Sequence, residues 1–436
     1  MTITIIFIAG YYILTSVIIN NKADSKVISS KLPMLLINTF GEDVKDEPKI
    51  GARITIINNK YNKINYITDI PENELNVGIE IRGNISKVIP KKSYGFEIRD
   101  NNNNDLSIPV FGFPKGSDWV LYGPYSDKTL MRNFLTLTLG RQMGMYASRA
   151  KFVEVYFKDY NNSIEDYEYK GIFVLLEKVK HGKNRVNITK TKNTKREIPC
   201  SFILEIVPES RMDSSMVYSK SKRSGRNFVY IYPKQLKVTE TQKTWIMNYI
   251  NSFEDELTRK NFDPETGYQK YIDINSFVDY LILNDFVKNN DAFYASTFIY
   301  KDINDKMKAG PPWDYNFSMG NNKYQEPESG WFVKNNSEWV KMLFQDSVFR
   351  KKYRKRWFEL RNNVLSHENI NGLIDSTYKL LSEAQKKNFE RWPILGRKVW
   401  PNRRPVPKTY DAEIDALKSW IDRRLNWMDA DIEKLN

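Results

Sequence analysis

The chain has 436 residues, 41% of them hydrophobic, and its 67 Lys and Arg outnumber 53 Asp and Glu for a net charge of +14. That length and apolar content suit one large domain or two ordinary ones with a substantial core, and the positive balance favours phosphates, nucleic acid, anionic lipid or acidic protein without choosing among them. A single cysteine, Cys200, and two histidines, His181 and His367, exclude an intramolecular disulfide and a Cys/His zinc cluster, so catalysis would rest on Asp, Glu, Lys and Asn.

Residues Met1 to Ile19 carry no charged side chain and are followed by the polar stretch Asn20 to Lys26. Such a run suits a signal-peptide core or one membrane-spanning anchor, so residues 1–26 are expected to direct export or hold the chain at a membrane. No basic residue precedes the run, and no lipoprotein cysteine follows it.

From Leu32 the pattern is strand-like: Pro33 to Asn38, Ala52 to Ile57 and Val77 to Arg82 are apolar segments bounded by Gly, Pro, Asn or Asp. After a loop over Gly83 to Pro90, Lys92, Tyr94, Phe96 and Ile98 alternate with Lys91, Ser93, Gly95, Glu97 and Arg99, which predicts Lys92 on the inward side of its strand. Asn101 to Asp105 reads as a turn. Ser126 or Asp127 is the expected N-cap of a helix with Leu130, Phe134, Leu137 and Met143 on its apolar stripe. Lys151 to Phe157 and Gly171 to Lys178 read as a strand pair, so a mixed sheet with one packed helix is predicted for residues 31–190.

Between Glu209 and Arg226 apolar content drops while Lys220, Lys222, Arg223 and Arg226 crowd together, which reads as a mobile, solvated insertion. Beyond Thr239 the spacing turns helical, with Trp245, Tyr249 and Phe253 on one face and Phe277, Leu281 and Phe286 on the next. The basic stretch Arg350 to Trp357 is expected to be a solvated helix face with Phe349, Tyr353 and Trp357 inward. It shows no aromatic interleaving, and no nucleic-acid partner is expected. Ile414, Leu417, Ile421, Leu425 and Met428 read as core at helical spacing.

Residues Asn275 to Gly320 run helix, acidic loop, hairpin, acidic loop. The helix delivers Asn289-Asn-Asp291, a hairpin is predicted from Thr297–Lys301 and Met307–Ala309, and Pro312-Trp-Asp-Tyr-Asn-Phe-Ser-Met-Gly320 follows. The hairpin should bring Asp291 and Asp314, 23 residues apart, to one end of a sheet. Protein kinases present a catalytic-loop Asp and a metal-binding Asp in this order, and phosphoryl transfer needs little beyond a phosphate-binding cation, magnesium ligands and an acceptor for the hydroxyl proton.

Eight blocks occur in the order found in the CotH kinase-like family: Arg82-Gly-Asn-Ile-Ser, Pro90-Lys-Lys-Ser-Tyr, Ser117-Asp-Trp-Val-Leu, Tyr125-Ser-Asp-Lys-Thr-Leu-Met-Arg-Asn, Val153-Glu-Val-Tyr, Gly171-Ile-Phe-Val-Leu-Leu-Glu-Lys-Val, Asn289-Asn-Asp-Ala and Gly310-Pro-Pro-Trp-Asp-Tyr-Asn. The chain resembles that family over residues 31–320, with Trp420 to Asp429 similar to its closing helix. The resemblance implies an α+β, two-lobed, divergent protein-kinase-like fold, with a β-rich N-terminal lobe over 27–190 and a mainly helical C-terminal lobe over 191–436. It also implies an exported or surface-associated kinase using ATP and magnesium, or manganese, on hydroxyls of a protein substrate.

Carried onto this chain, Lys92 becomes the phosphate-binding lysine, Asp291 the catalytic aspartate and Asp314 the principal metal ligand. Ser296 stands where protein kinases place a metal-binding Asn, and Asn316 where many family members have a second Asp; both become neutral candidate ligands. Glu177 is a candidate hinge residue or partner for the phosphate lysine, and Arg132 a candidate nucleotide contact. A catalytically weak adhesion or scaffold protein on the same fold is the alternative.

Overall fold

The computed structural model describes residues 28–59, 63–84, 86–158, 167–191, 198–322, 327–402 and 405–435. The apolar run Met1 to Ile19 lies outside them, and among the described residues no helix is long and apolar enough to cross a membrane.

The alternating segments of the N-terminal half close on themselves. Strands β1 (Ser29–Ser30), β2 (Met34–Asn38), β3 (Ile50–Ile57), β4 (Asn65–Tyr66), β5 (Asn73–Ile81), β6 (Tyr94–Arg99), β7 (Asp118–Tyr122), β8 (Ala150–Lys158) and β9 (Glu168–Glu177) follow in sequence. β1 and β4 form a small ribbon, and the other seven make a closed barrel in the order β2-β3-β5-β6-β7-β9-β8. The expected mixed sheet is therefore a barrel. The pair that closes it is parallel, with Met34 to Asn38 of β2 opposite Glu154 to Lys158 of β8. Local alternation reveals each strand but not a pairing between strands so far apart in sequence. Every second side chain, among them Leu35, Ile54, Val77, Phe96, Leu121, Val153 and Phe173, fills the barrel interior.

Helix α1 (Arg132–Gln142) packs outside the barrel, where Leu135 and Leu139 join Phe152 and Val174 in a core shared with the C-terminal half. It begins later than Ser126 or Asp127 would place it. Asp127 still serves its first turn, because one carboxylate oxygen accepts the Arg132 N–H at 2.9 Å while the other accepts the Thr129 N–H and hydroxyl.

The C-terminal half is mainly helical but contains a second sheet, β11-β12-β10-β13-β14, built from β10 (Phe202–Val207), β11 (Tyr218–Lys220), β12 (Asn227–Tyr232), β13 (Thr297–Lys301) and β14 (Lys308–Ala309). All of its pairings are antiparallel. The predicted hairpin is β13–β14. Around it lie α2 (Glu240–Thr258), α3 (Ile274–Val287), α4 (Val333–Asn336), α5 (Glu338–Leu343), α6 (Ser347–Arg361), α7 (His367–Leu381), α8 (Ala384–Arg391) and α9 (Tyr410–Ile432). Phe349, Tyr353 and Trp357 of α6, and Ile414, Leu417, Ile421, Leu425 and Met428 of α9, are buried as their spacing predicts.

The segment 209–226 is not a free insertion. Ser221 and Arg223 bond Glu254 and Asp255 on α2, and the Arg226 guanidinium lies 4.6 Å from the Trp339 ring centroid. Its charges found acidic and aromatic partners in elements that composition alone cannot connect to it.

Candidate active site

Helix α3 starts at Asp273, whose carboxylate accepts the Ser276 N–H, and ends where Lys288 takes a left-handed φ of 53°. That turn throws the chain into Asn289-Asn290-Asp291. The Asn289 side chain fixes the exit: its carbonyl oxygen accepts the Asp291 N–H at 3.1 Å and its amide donates to Asn284 at 2.9 Å. Downstream, the Phe293 N–H bonds the Thr297 hydroxyl at 2.8 Å, and β13–β14 returns the chain toward Trp313 and Asp314.

The loop after β14 is held from two sides. Asn133 on α1 accepts the Tyr315 N–H at 3.1 Å, and the Val287 carbonyl at the end of α3 accepts the Met319 N–H at 2.8 Å. Immediately before the first clamp Asp314 adopts φ 62°, a left-handed conformation that side chains larger than glycine rarely occupy. Local strain of this kind persists where surrounding structure fixes it, commonly at functional sites.

Six charged groups converge here. Burial pushes the Asp314 carboxyl up to about 6, Asp291 adds repulsion, and Arg211 and Arg82 pull it back. Burial likewise raises Glu205 on β10 to about 7, against the pull of Arg82, with Asp314 repelling it and Arg211 and Lys178 attracting it. Arg82, just past β5, is lowered by burial and faces Glu205, Glu80 and Asp314; its guanidinium also lies 5.7 Å from the Trp313 ring centroid. Lys178, just past β9, is lowered by burial and by Arg82 beside it. Arg211 forks Asp291, its two terminal nitrogens 2.9 and 3.2 Å from the two carboxylate oxygens. Three carboxylates thus face three cations where the barrel meets the second sheet.

The residues singled out in the sequence divide accordingly. Asp291 and Asp314 come together, close enough for each charge to act on the other. Lys92 does not point into the barrel: β6 begins only at Tyr94, and the Lys92 ammonium donates to the Lys87 carbonyl at 2.7 Å in the preceding loop. Lys91 is the buried neighbour, 1% exposed, donating to the Ile172 carbonyl at 2.6 Å and to Asn388 at 2.8 Å.

Glu177 pairs with Arg149 and Arg185 rather than with a phosphate lysine. Arg132 is bonded to Asp127 at 2.6 Å and to the Met319 carbonyl at 3.4 Å, so it braces the Asp314 loop. The Asn316 carbonyl accepts the Asn321 side-chain amide at 2.8 Å, which ties the loop after Asp314 together. Ser296, at φ 47°, makes no hydrogen bond to either aspartate among the described residues.

Arg82, Lys178, Glu205 and Arg211 were missed. Arg82 and Lys178 lie inside the recognised sequence blocks, where nothing in the pattern sets them apart from other strand-end cations. Glu205 had a usable signal, a lone acid inside the apolar strand Phe202–Val207.

Among the described residues no three His, Cys, Asp or Glu side chains converge as a ready-made metal cage. Magnesium is commonly held by one or two carboxylates together with substrate phosphates, so Asp314, whose carboxylate receives no hydrogen bond from a described residue, fits that ion in the presence of a nucleotide.

The model of the family described as CotH kinase protein matches residues 79–428. The chain is also similar to the inner spore coat protein H of Bacillus subtilis, 20% identical over 346 residues that cover 75% of this chain and 85% of that relative.

Proposed function

Since the chain belongs to the CotH kinase protein family, which matches it over residues 79–428, we propose that it is an atypical protein kinase moving the γ-phosphate of ATP to a hydroxyl of a protein substrate. The observation that carries this reading is the convergence of Asp291 and Asp314, from opposite sides of the β13–β14 hairpin, on the cations Arg82, Lys178 and Arg211. The relative's name places that protein in the spore coat; for this chain we propose a coat or cell-surface setting.

The residues divide the work. Arg82 and Lys178 lie beside each other, both lowered by burial, and phosphate oxygens of a nucleotide would compete for them with the carboxylates already facing them. Asp314 would hold magnesium, which when bound neutralises phosphate charge. Asp291 orients the acceptor hydroxyl and takes its proton as the new O–P bond forms; the bond from the γ-phosphorus to the bridging oxygen breaks and ADP leaves. Asn133 and Arg132 keep the Asp314 loop in register.

A binding or scaffold role is the second reading. One observation favours it: Asn316 and Ser296 are neutral and Ser296 makes no hydrogen bond to either aspartate among the described residues, so Asp314 alone supplies anionic oxygen in the loop from Gly310 to Gly320.

The deciding experiment incubates the full-length protein with γ-labelled ATP and magnesium or manganese, with itself and with generic acidic and basic proteins as acceptors. Label transfer that disappears in Asp314→Ala supports the kinase. Absence of both transfer and nucleotide binding leaves the scaffold.

A further inference from the structure

The kinase reading leaves one arrangement unexplained: each carboxylate oxygen of the proposed catalytic aspartate already accepts from the Arg211 guanidinium. Arg211 reaches Asp291 from the short turn Glu209–Arg211, after the extended Pro208, and meets both oxygens. A carboxylate forked in this way is a poor partner for an incoming hydroxyl, because a fixed cation competes for its lone pairs. The pair is also partly exposed, with 34% of the Arg211 and 23% of the Asp291 side chain accessible, and ion pairs open to water are held weakly. It can be exchanged at little cost.

An alternative anion belongs next to it. Arg211 acts electrostatically on Asp314 and Glu205 as well as on Asp291, so its guanidinium lies in the same cluster as Arg82 and Lys178, where the nucleotide phosphates would sit. Tyr294, 57% exposed and three residues beyond Asp291, also lies within the electrostatic reach of Arg211 and marks the open side of the site.

We propose that Arg211 is a positioning residue that exchanges partners: it holds Asp291 before nucleotide binds and turns to the terminal phosphate of the bound nucleotide, freeing the carboxylate for the acceptor hydroxyl. The inference rests on the kinase reading. It adds to that reading a coupling, by which the base becomes available only when a transferable phosphate is present. A guanidinium can make this move because it binds carboxylate and phosphate through the same planar fork.

The test compares full-length wild type, Arg211→Met, Arg211→Lys and Asp291→Asn by titration with ADP and with a non-hydrolysable ATP analogue, both with magnesium. Loss of one charge-assisted contact to the terminal phosphate should weaken the analogue about 10-fold or more in Arg211→Met while leaving ADP within about twofold. Arg211→Lys should recover part of the loss.

Asp291→Asn should move the other way. With the competing carboxylate gone, the analogue should bind several-fold tighter and ADP should not change. Because this variant is nearly isosteric, it keeps the test meaningful even if an Arg211 variant folds poorly. An unchanged ratio of analogue to ADP affinity in both Arg211→Met and Asp291→Asn would overturn the exchange while leaving the kinase standing. Wild type binding neither nucleotide would remove the kinase reading itself.

Discussion

Asn133 accepts the backbone N–H of Tyr315 at 3.1 Å, joining the helix behind the barrel to the residue immediately after Asp314. The bond is buried and spans 182 residues of sequence. Asn133→Leu keeps the bulk and leaves that N–H unsatisfied, which should lower stability by about 1–3 kcal/mol. It should also weaken nucleotide binding more with magnesium than with a chelator present, because the loop it loosens carries the proposed metal ligand. Thermal unfolding and paired titrations measure the two effects. Lost stability with unchanged magnesium-dependent affinity would show that Asp314 does not depend on this brace.

The lysine pair Lys91-Lys92 separates stability from binding. Lys91 is buried against the Ile172 carbonyl, Asn388 of α8 and the Phe173 ring, whose centroid lies 5.1 Å away, and burial holds its ammonium well below the usual lysine range. Lys91→Ala takes a donor from the Ile172 carbonyl and one of two donors from Asn388, which keeps the Ile172 N–H, and should cost about 2 kcal/mol or more, with a small effect on nucleotide affinity in the protein that remains folded. Lys92→Ala should be nearly neutral to stability. Arg82→Ala should weaken nucleotide binding about 10-fold or more, the loss expected for one charge-assisted contact, and by more than Lys92→Ala does. A larger loss at Lys92 would return the phosphate-binding role to that lysine.

What the sequence made legible follows from the range of each signal. Alternation located six barrel strands to within a few residues because every second side chain enters one interior, but it could not show that β2 pairs with β8. The same alternation misplaced Lys92, since two residues of irregular backbone precede Tyr94 and the period of two does not run through them. Asp291 and Asp314 were legible because a helix, a hairpin and two acidic loops are all local. Arg82, Lys178, Glu205 and Arg211 were not, because they reach the site from β5, β9, β10 and a loop whose basic composition reads equally well as a solvated surface.

A pH effect is expected on the helix that delivers Asp291. Asp285 lies inside α3, and burial pushes its carboxyl up to about 7 despite the pull of Arg424; Tyr353 donates to one oxygen at 3.1 Å, while the other oxygen is buried with no hydrogen-bond partner among the described residues. Between an unfolded-state pKa near 4 and this raised value, the folded state holds a proton that the unfolded state has released. Stability contributed by this group therefore falls as pH rises through that window. Asp285→Asn removes the titration, so the melting temperature of the variant relative to wild type should be more favourable at pH 8 than at pH 5. A difference that does not vary with pH would show that Arg424 fully compensates the buried charge.

The two aspartates of the candidate site should fail in different ways, because one is proposed to serve the nucleotide and the other the acceptor. Asp314 sits at φ 62°, its carboxylate receiving no hydrogen bond from a described residue, so a hard cation shared with phosphate oxygens is its natural partner. Asp314→Asn, or Ala, should therefore weaken magnesium-dependent nucleotide binding and abolish transfer together. Asp291 is proposed to act on the acceptor as its hydroxyl attacks. Asp291→Asn should leave ADP affinity within a few fold while lowering turnover by ~10²-fold or more, the range usual for a positioned base. Both Asn substitutions preserve size, and melting temperatures would separate a chemical defect from an unfolded one. If wild-type protein binds Mg-ATP and neither change alters its slow turnover, the carboxylates are structural, and the scaffold reading replaces the kinase.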